Sequence, residues 1–147
     1  MPTKSVKYLS MATAAVIVVL LLIQLVPYGK DHSNPAVVSE PTWDSPQTRE
    51  LAKRACFDCH SNEAIWPWYS NVAPVSWLVY RDVVEGRQRM DFSDWQNLHI
   101  EGSSEILDVI NAGEMPPMQY LLMHKSARLS AAEKTQLIDG LQKVVGQ

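Results

Sequence analysis

Cysteine is scarce in this chain of 147 residues: there are two, Cys56 and Cys59, and beside them only four histidines, His32, His60, His99 and His124. A structural zinc commonly takes four nitrogen or sulfur ligands, often from a second Cys or His pair at short spacing. No such pair is present, so a zinc site would have to combine His60 with one of three scattered histidines. A thioredoxin-like use of the C-x-x-C spacing asks for a βαβ pattern around it, and none is visible. Convincing strands, internal repeats and low-complexity tracts are missing as well. Charge is absent from Tyr8 to Gly29, and the first 30 residues hold Lys4, Lys7 and Lys30 but no acid. The remainder carries 10 basic against 16 acidic residues, so the net charge of −3 conceals a more acidic body behind a basic start. That split belongs to a membrane protein more than to a nucleic-acid binder.

The uncharged run has an aliphatic centre, Val16 to Ile23, and covers 22 positions. At about 1.5 Å per helical residue these span roughly 33 Å, enough to cross a hydrocarbon core of about 30 Å. A cleaved secretory signal is the alternative, but its apolar core is typically shorter and ends in a small-residue cleavage site. Val26-Pro27-Tyr28-Gly29-Lys30 offers none. The run is therefore read as an uncleaved anchor, with Lys4 and Lys7 held in the cytoplasm and everything downstream sent across the membrane.

Pro27, Pro35, Pro41 and Pro46 then punctuate a stretch with few apolar residues, which reads as a semi-extended tether. The chain accordingly divides into a cytoplasmic tip and transmembrane anchor (1–29), a proline-containing linker (30–45) and a folded domain (46–147).

Within that domain the pattern is helical. Ser45 is placed to cap a helix whose first residue is Pro46. Leu51, Ala52, Ala55, Cys56 and Cys59 recur at helical spacing, which puts both cysteines on the buried face of that helix and leaves Arg49, Lys53 and Arg54 on its solvated side. Pro74 opens a second helix through Glu85 that Gly86 can close. Ser103 to Ala112 forms a third, ended by Gly113. Ser130-x-x-Glu133 is a capping box for a last helix carrying Leu137, Ile138, Leu141, Val144 and Val145. The fold class expected is all-α.

What the chain does have is Cys56-Phe57-Asp58-Cys59-His60. In a segment exported across a membrane, C-x-x-C-H reads as the attachment site of a c-type haem. Two thiols at this spacing reach the two vinyl groups of one porphyrin, and the histidine that follows can take the proximal position on the iron. An aromatic loop follows, in which Trp66, Trp68 and Tyr69 are either ordinary core or rings that cover the haem and bond its propionates.

The run from Cys56 to Asn62, Trp66-Pro67-Trp68-Tyr69-Ser70, Ala73 to Trp77, Gly86-Arg87, Asp91 to Trp95, Gly113 to Pro116 and Ala127 to Ser130 resemble the bacterial haem-binding domain family of c-type cytochromes. The resemblance covers nearly all of residues 46–145. It implies a small helical monohaem domain like class I cytochrome c, with thioether bonds from Cys56 and Cys59 and His60 as proximal ligand. It also implies a proline-bearing loop whose carbonyl, near Pro67, accepts from His60 Nδ1.

The sixth ligand decides between function classes. Met115 precedes two prolines that stiffen its loop, and its place resembles the distal ligand loop of class I cytochromes. Met118, His99 and His124 are the alternatives, and gap-filling is the ordinary use of methionine. Ligation by His60 and Met115 makes the domain an electron carrier and not an enzyme, serving redox donor and acceptor proteins on the periplasmic side of the cytoplasmic membrane. An open or displaceable distal site would instead make it a haem enzyme or sensor for peroxide or a small gas.

Overall fold

The computed structural model describes residues 3–97 and 103–145, and every element in it is helical apart from one isolated parallel bridge between Ser39 and Asp94. The helices are α1 (Lys4–Ile23), α2 (Pro46–Ala55), α3 (Phe57–His60), α4 (Val75–Arg89), α5 (Ser103–Ala112), α6 (Met118–Met123) and α7 (Ala131–Val145), with 3-10 turns at Trp68–Asn71, Trp95–Asn97 and Lys125–Ala127. Contacts divide the chain into two compact units: Met1–Ser33 with Trp66–Asp82, and Asn34–Ile65 with Val83–Gln147.

In the first unit α1 is long and apolar enough to cross a membrane, and none of its residues is buried. The chain beyond it is held by specific contacts. The Gln24 side chain donates from Nε2 to the Ala73 carbonyl (2.9 Å) and accepts at Oε1 from the Ala73 N–H (3.0 Å). Gly29 adopts φ +79°, a left-handed conformation open to glycine, and lies so close to the Ser76 carbonyl that a Cβ would collide with it. Tyr28 meets Tyr80 edge to face at 5.3 Å, and His32 stacks on Trp66 at 4.4 Å.

The second unit is built on α2, α5 and α7, whose apolar stripes meet in a core of Leu51, Ala52, Ile106, Ile110, Leu137 and Leu141. Gly140 lets α7 approach α2, since a Cβ there would strike the Thr48 side chain. Arg54 Nη1 reaches Glu133 Oε1 across the same pair of helices at 2.6 Å. The end signals read from sequence are present. Ser45 Oγ accepts from Thr48 N at 3.2 Å with Pro46 opening the helix, and the Ser130–Glu133 box closes from both sides. Gly113, at φ +76°, ends α5 in a Schellman motif: Glu114 N donates to Val109 O and Gly113 N to Ile110 O.

Three local expectations are corrected. Gly86 does not close α4, which continues to Arg89, because its role is close approach to a neighbouring backbone. The first helix does not carry both cysteines, because it breaks at Cys56 (φ −125°) and restarts as α3. Phe57 lies two residues past Ala55, roughly 200° round a regular helix and thus away from the buried stripe; the break turns it inward to stack on Phe92 at 5.3 Å. Finally, residues 34–45 are not a free tether. Trp43 packs on Phe92 (5.3 Å), Pro41 is buried, Glu40 pairs with Arg49, and Ser39 forms the bridge to Asp94. A single indole supplies more buried area than the linker's low apolar content suggested.

Candidate haem site

Cys56, Cys59 and His60 are brought together by one tight turn. The Cys56 carbonyl accepts from both Cys59 N (3.1 Å) and His60 N (2.9 Å), so the two thiols and the imidazole leave the backbone within a single turn of α3. Both cysteines carry thiols and are half-buried. Burial, with a smaller effect from Cys59, pushes the Cys56 thiol up to about 12, so its proton stays on sulfur.

His60 is the most closely specified side chain of the site. Its Nδ1 lies 3.0 Å from the Gly86 carbonyl and 3.1 Å from the Met90 carbonyl. Carbonyls only accept, so Nδ1 carries the proton. Burial lowers the imidazole's pKa, against the opposing effect of those two carbonyls, which favours the neutral ring. A neutral ring protonated at Nδ1 has its lone pair on Nε2, the form that binds a metal. The acceptors are Gly86 in the last turn of α4 and Met90 just after it, and not Pro67, whose carbonyl is engaged by the N–H and hydroxyl of Ser70. The Gly86 carbonyl already accepts from Met90 N (2.9 Å), and its second lone pair is the one open to the imidazole, so a proline loop is not needed to supply an acceptor.

The same stretch fixes the rest of the motif. Gly86 lies against the Cys59 carbonyl, where a Cβ would collide with backbone. Arg87 Nε donates to Ser61 O (2.8 Å), Phe92 N to His60 O (2.8 Å), and Ser93 Oγ accepts from Asn62 N (2.8 Å). Two short motifs, Gly86-Arg87 and Asp91-Phe92-Ser93, thus form the seat of Cys59 to Asn62.

Asp58 and Tyr120 were missed by sequence reasoning. Tyr120, on α6, donates its hydroxyl to Asp58 Oδ2 at 2.7 Å, while Asp58 Oδ1 accepts from Ile65 N at 2.9 Å. Burial and this contact raise the Tyr120 phenol well above its usual range. Asp58 stands between the two cysteines, which was the available signal. Nothing in the sequence pairs it with a tyrosine 62 positions on.

Met115 follows the Schellman turn of α5, its N–H donating to Val109 O at 3.3 Å, and it is exposed. Met118 opens α6 and is more exposed; His124 stacks on Tyr120 at 4.0 Å with Nδ1 3.1 Å from that residue's carbonyl. His99 lies outside the described residues. Trp66, Trp68 and Tyr69 belong to the first unit, so their assignment to the cofactor rests on the sequence argument alone. Arg54 is engaged by Glu133 and the Ser126 carbonyl.

A model of the haem-binding domain family matches residues 18–143. The chain belongs to that family. Comparison with curated proteins and with solved structures gives no significant match. The residues fit the group the family name implies: two thiols one turn apart and a neutral imidazole with Nδ1 occupied and Nε2 bearing the lone pair. Among the described residues no three His, Cys, Asp or Glu side chains converge to hold a metal ion.

Proposed function

We propose that this haem-binding protein is a membrane-anchored monohaem c-type cytochrome that carries electrons on the periplasmic side of the bacterial cytoplasmic membrane. Cys56 and Cys59 hold one haem c covalently, and His60 Nε2 and Met115 sulfur are the axial donors. When bound, the haem supplies a one-electron iron couple. The observation that carries the reading is the His60 imidazole. Its Nδ1 proton is donated to two main-chain carbonyls, which fixes the ring's orientation and makes Nε2 the more basic donor. Met115, on a loop stiffened by two prolines, is held with little entropy left to lose, which suits a weak thioether ligand. An iron saturated by two side chains has no open position for substrate, so the domain is a carrier and its partners are redox proteins.

Membrane anchoring is supported by α1, which buries nothing and so is not the core helix of a soluble body. Retention of the helix is supported by Gln24, Tyr28 and Gly29, whose contacts with Ala73, Tyr80 and Ser76 cleavage near Lys30 would remove.

Absorption spectra with and without carbon monoxide test the ligand set. Haem should remain on the polypeptide through denaturing electrophoresis, and replacing both Cys56 and Cys59 by Ala should release it. Met115→Ala should abolish the weak sulfur-to-iron band and admit carbon monoxide, whereas Met118→Ala should do neither. Carbon monoxide binding by the unaltered protein would replace the carrier with an open-site enzyme or sensor.

A further inference from the structure

From Trp66 to Tyr80 the chain runs for fifteen residues without a charge and includes three tryptophans and two tyrosines. All of it lies in the first unit, together with the uncharged run of α1. Its exposed large side chains are Trp68 (75 %), Val72 (44 %), Val75 (43 %) and Leu78 (39 %). Val75 and Leu78, three residues apart, share one face of α4, while Ser76 is buried beneath Gly29. Exposed apolar side chains concentrated in one uncharged stretch mark a contact site.

The end of α1 identifies the occupant. Gln24 directly follows the last helical residue, and its amide grips both the N–H and the C=O of Ala73. Lys30 Nζ returns to the Gln24 carbonyl at 2.5 Å, placing the first charge after the run at the helix's C-terminal end. The Gly29 and Tyr28 contacts with Ser76 and Tyr80 fix the first two turns of α4 at the same level. A helix of 20 residues is about 30 Å long, so its far end emerges where the hydrocarbon core gives way to headgroups. Tryptophan and tyrosine concentrate at that depth.

We propose that Trp68, Val72, Val75 and Leu78 are embedded in the interfacial layer of the bilayer that α1 crosses, giving the protein a second, non-spanning lipid contact. This rests on the reading of α1 as an uncleaved anchor. Trp68, one of the rings the sequence offers to the cofactor, is thereby assigned to lipid. The patch itself has no charge to select anionic headgroups, so the contact is with neutral phospholipid and its apolar margin.

Photo-crosslinking of the full-length, haem-loaded protein in phosphatidylcholine vesicles tests this. A p-benzoylphenylalanine is placed singly at Val18, Trp68, Val75, Leu78 or Glu50, each variant first showing the unaltered absorption spectrum. Irradiation should add the mass of one phospholipid at Val18, Trp68, Val75 and Leu78, and nothing at Glu50, an exposed position on α2. No lipid adduct at Val18 would overturn the anchor and this inference with it. An adduct at Val18 with none at the other three apolar positions would overturn this inference alone, as would crosslinks from those positions to protein.

Discussion

At the scale of single residues one glycine supports the site from the side of α4. Gly86 serves the haem-binding motif twice, by letting α4 close on the Cys59 carbonyl and by presenting its own carbonyl to His60 Nδ1. The two nearest neighbours of a new Cβ are Cys59 backbone atoms and cannot rotate away. Gly86→Ala should therefore destabilise the domain by about 1–3 kcal/mol, as overpacking of a close contact does, and shift the reduction potential as the His60 hydrogen bonds lengthen. Urea unfolding and redox titration of the haem-loaded protein check the two effects. An unchanged potential with lowered stability would confine Gly86 to packing. This glycine was visible in the sequence as part of a family motif, but its use was not, because helix closure and close approach call for the same residue.

At the scale of elements, α2 and α7 are joined by a cap as well as by their core faces. Glu133 accepts from the Ser130 N–H at 2.8 Å and from Arg54, and these contacts hold its carboxyl down at about 2 against an ordinary 4.5. A carboxylate with a depressed folded-state pKa stabilises the native state above its unfolded value, and that contribution is lost as pH falls through the folded one. Glu133→Gln should therefore lower the urea midpoint near neutral pH, and the difference from the unaltered protein should shrink as pH falls from 4.5 toward about 2. Because the group is partly exposed, added salt should reduce it too. A pH-independent difference would mean that only the cap geometry matters. The capping box was legible from Ser130 and Glu133, whose spacing is local. Arg54 was not, since its partner lies 79 residues away.

At the scale of the whole molecule, the second unit closes round a ring cluster of Trp43, Phe57, Phe92 and Trp95 drawn from three separated stretches of chain. Phe92 is fully buried at its centre. Phe92→Ala should cost about 3–5 kcal/mol and loosen the seat of His60, because the Phe92 N–H also holds the His60 carbonyl. Thermal unfolding and haem retention measure this; stability lost without any change in the haem spectrum would separate core from site. The helical class, the helix ends at Ser45, Gly113 and Ser130, the membrane-length run and the C-x-x-C-H motif were legible in the chain alone. These are all set by chemistry within a few residues: caps, apolar period, absence of charge and adjacent ligands. Folding had to be seen to learn which carbonyls orient His60, that Cys56 ends one helix so that Phe57 turns inward, that residues 34–45 pack down, and that Asp58 meets Tyr120. Each of these joins residues far apart in the chain, and a side chain's local pattern does not name its distant partner.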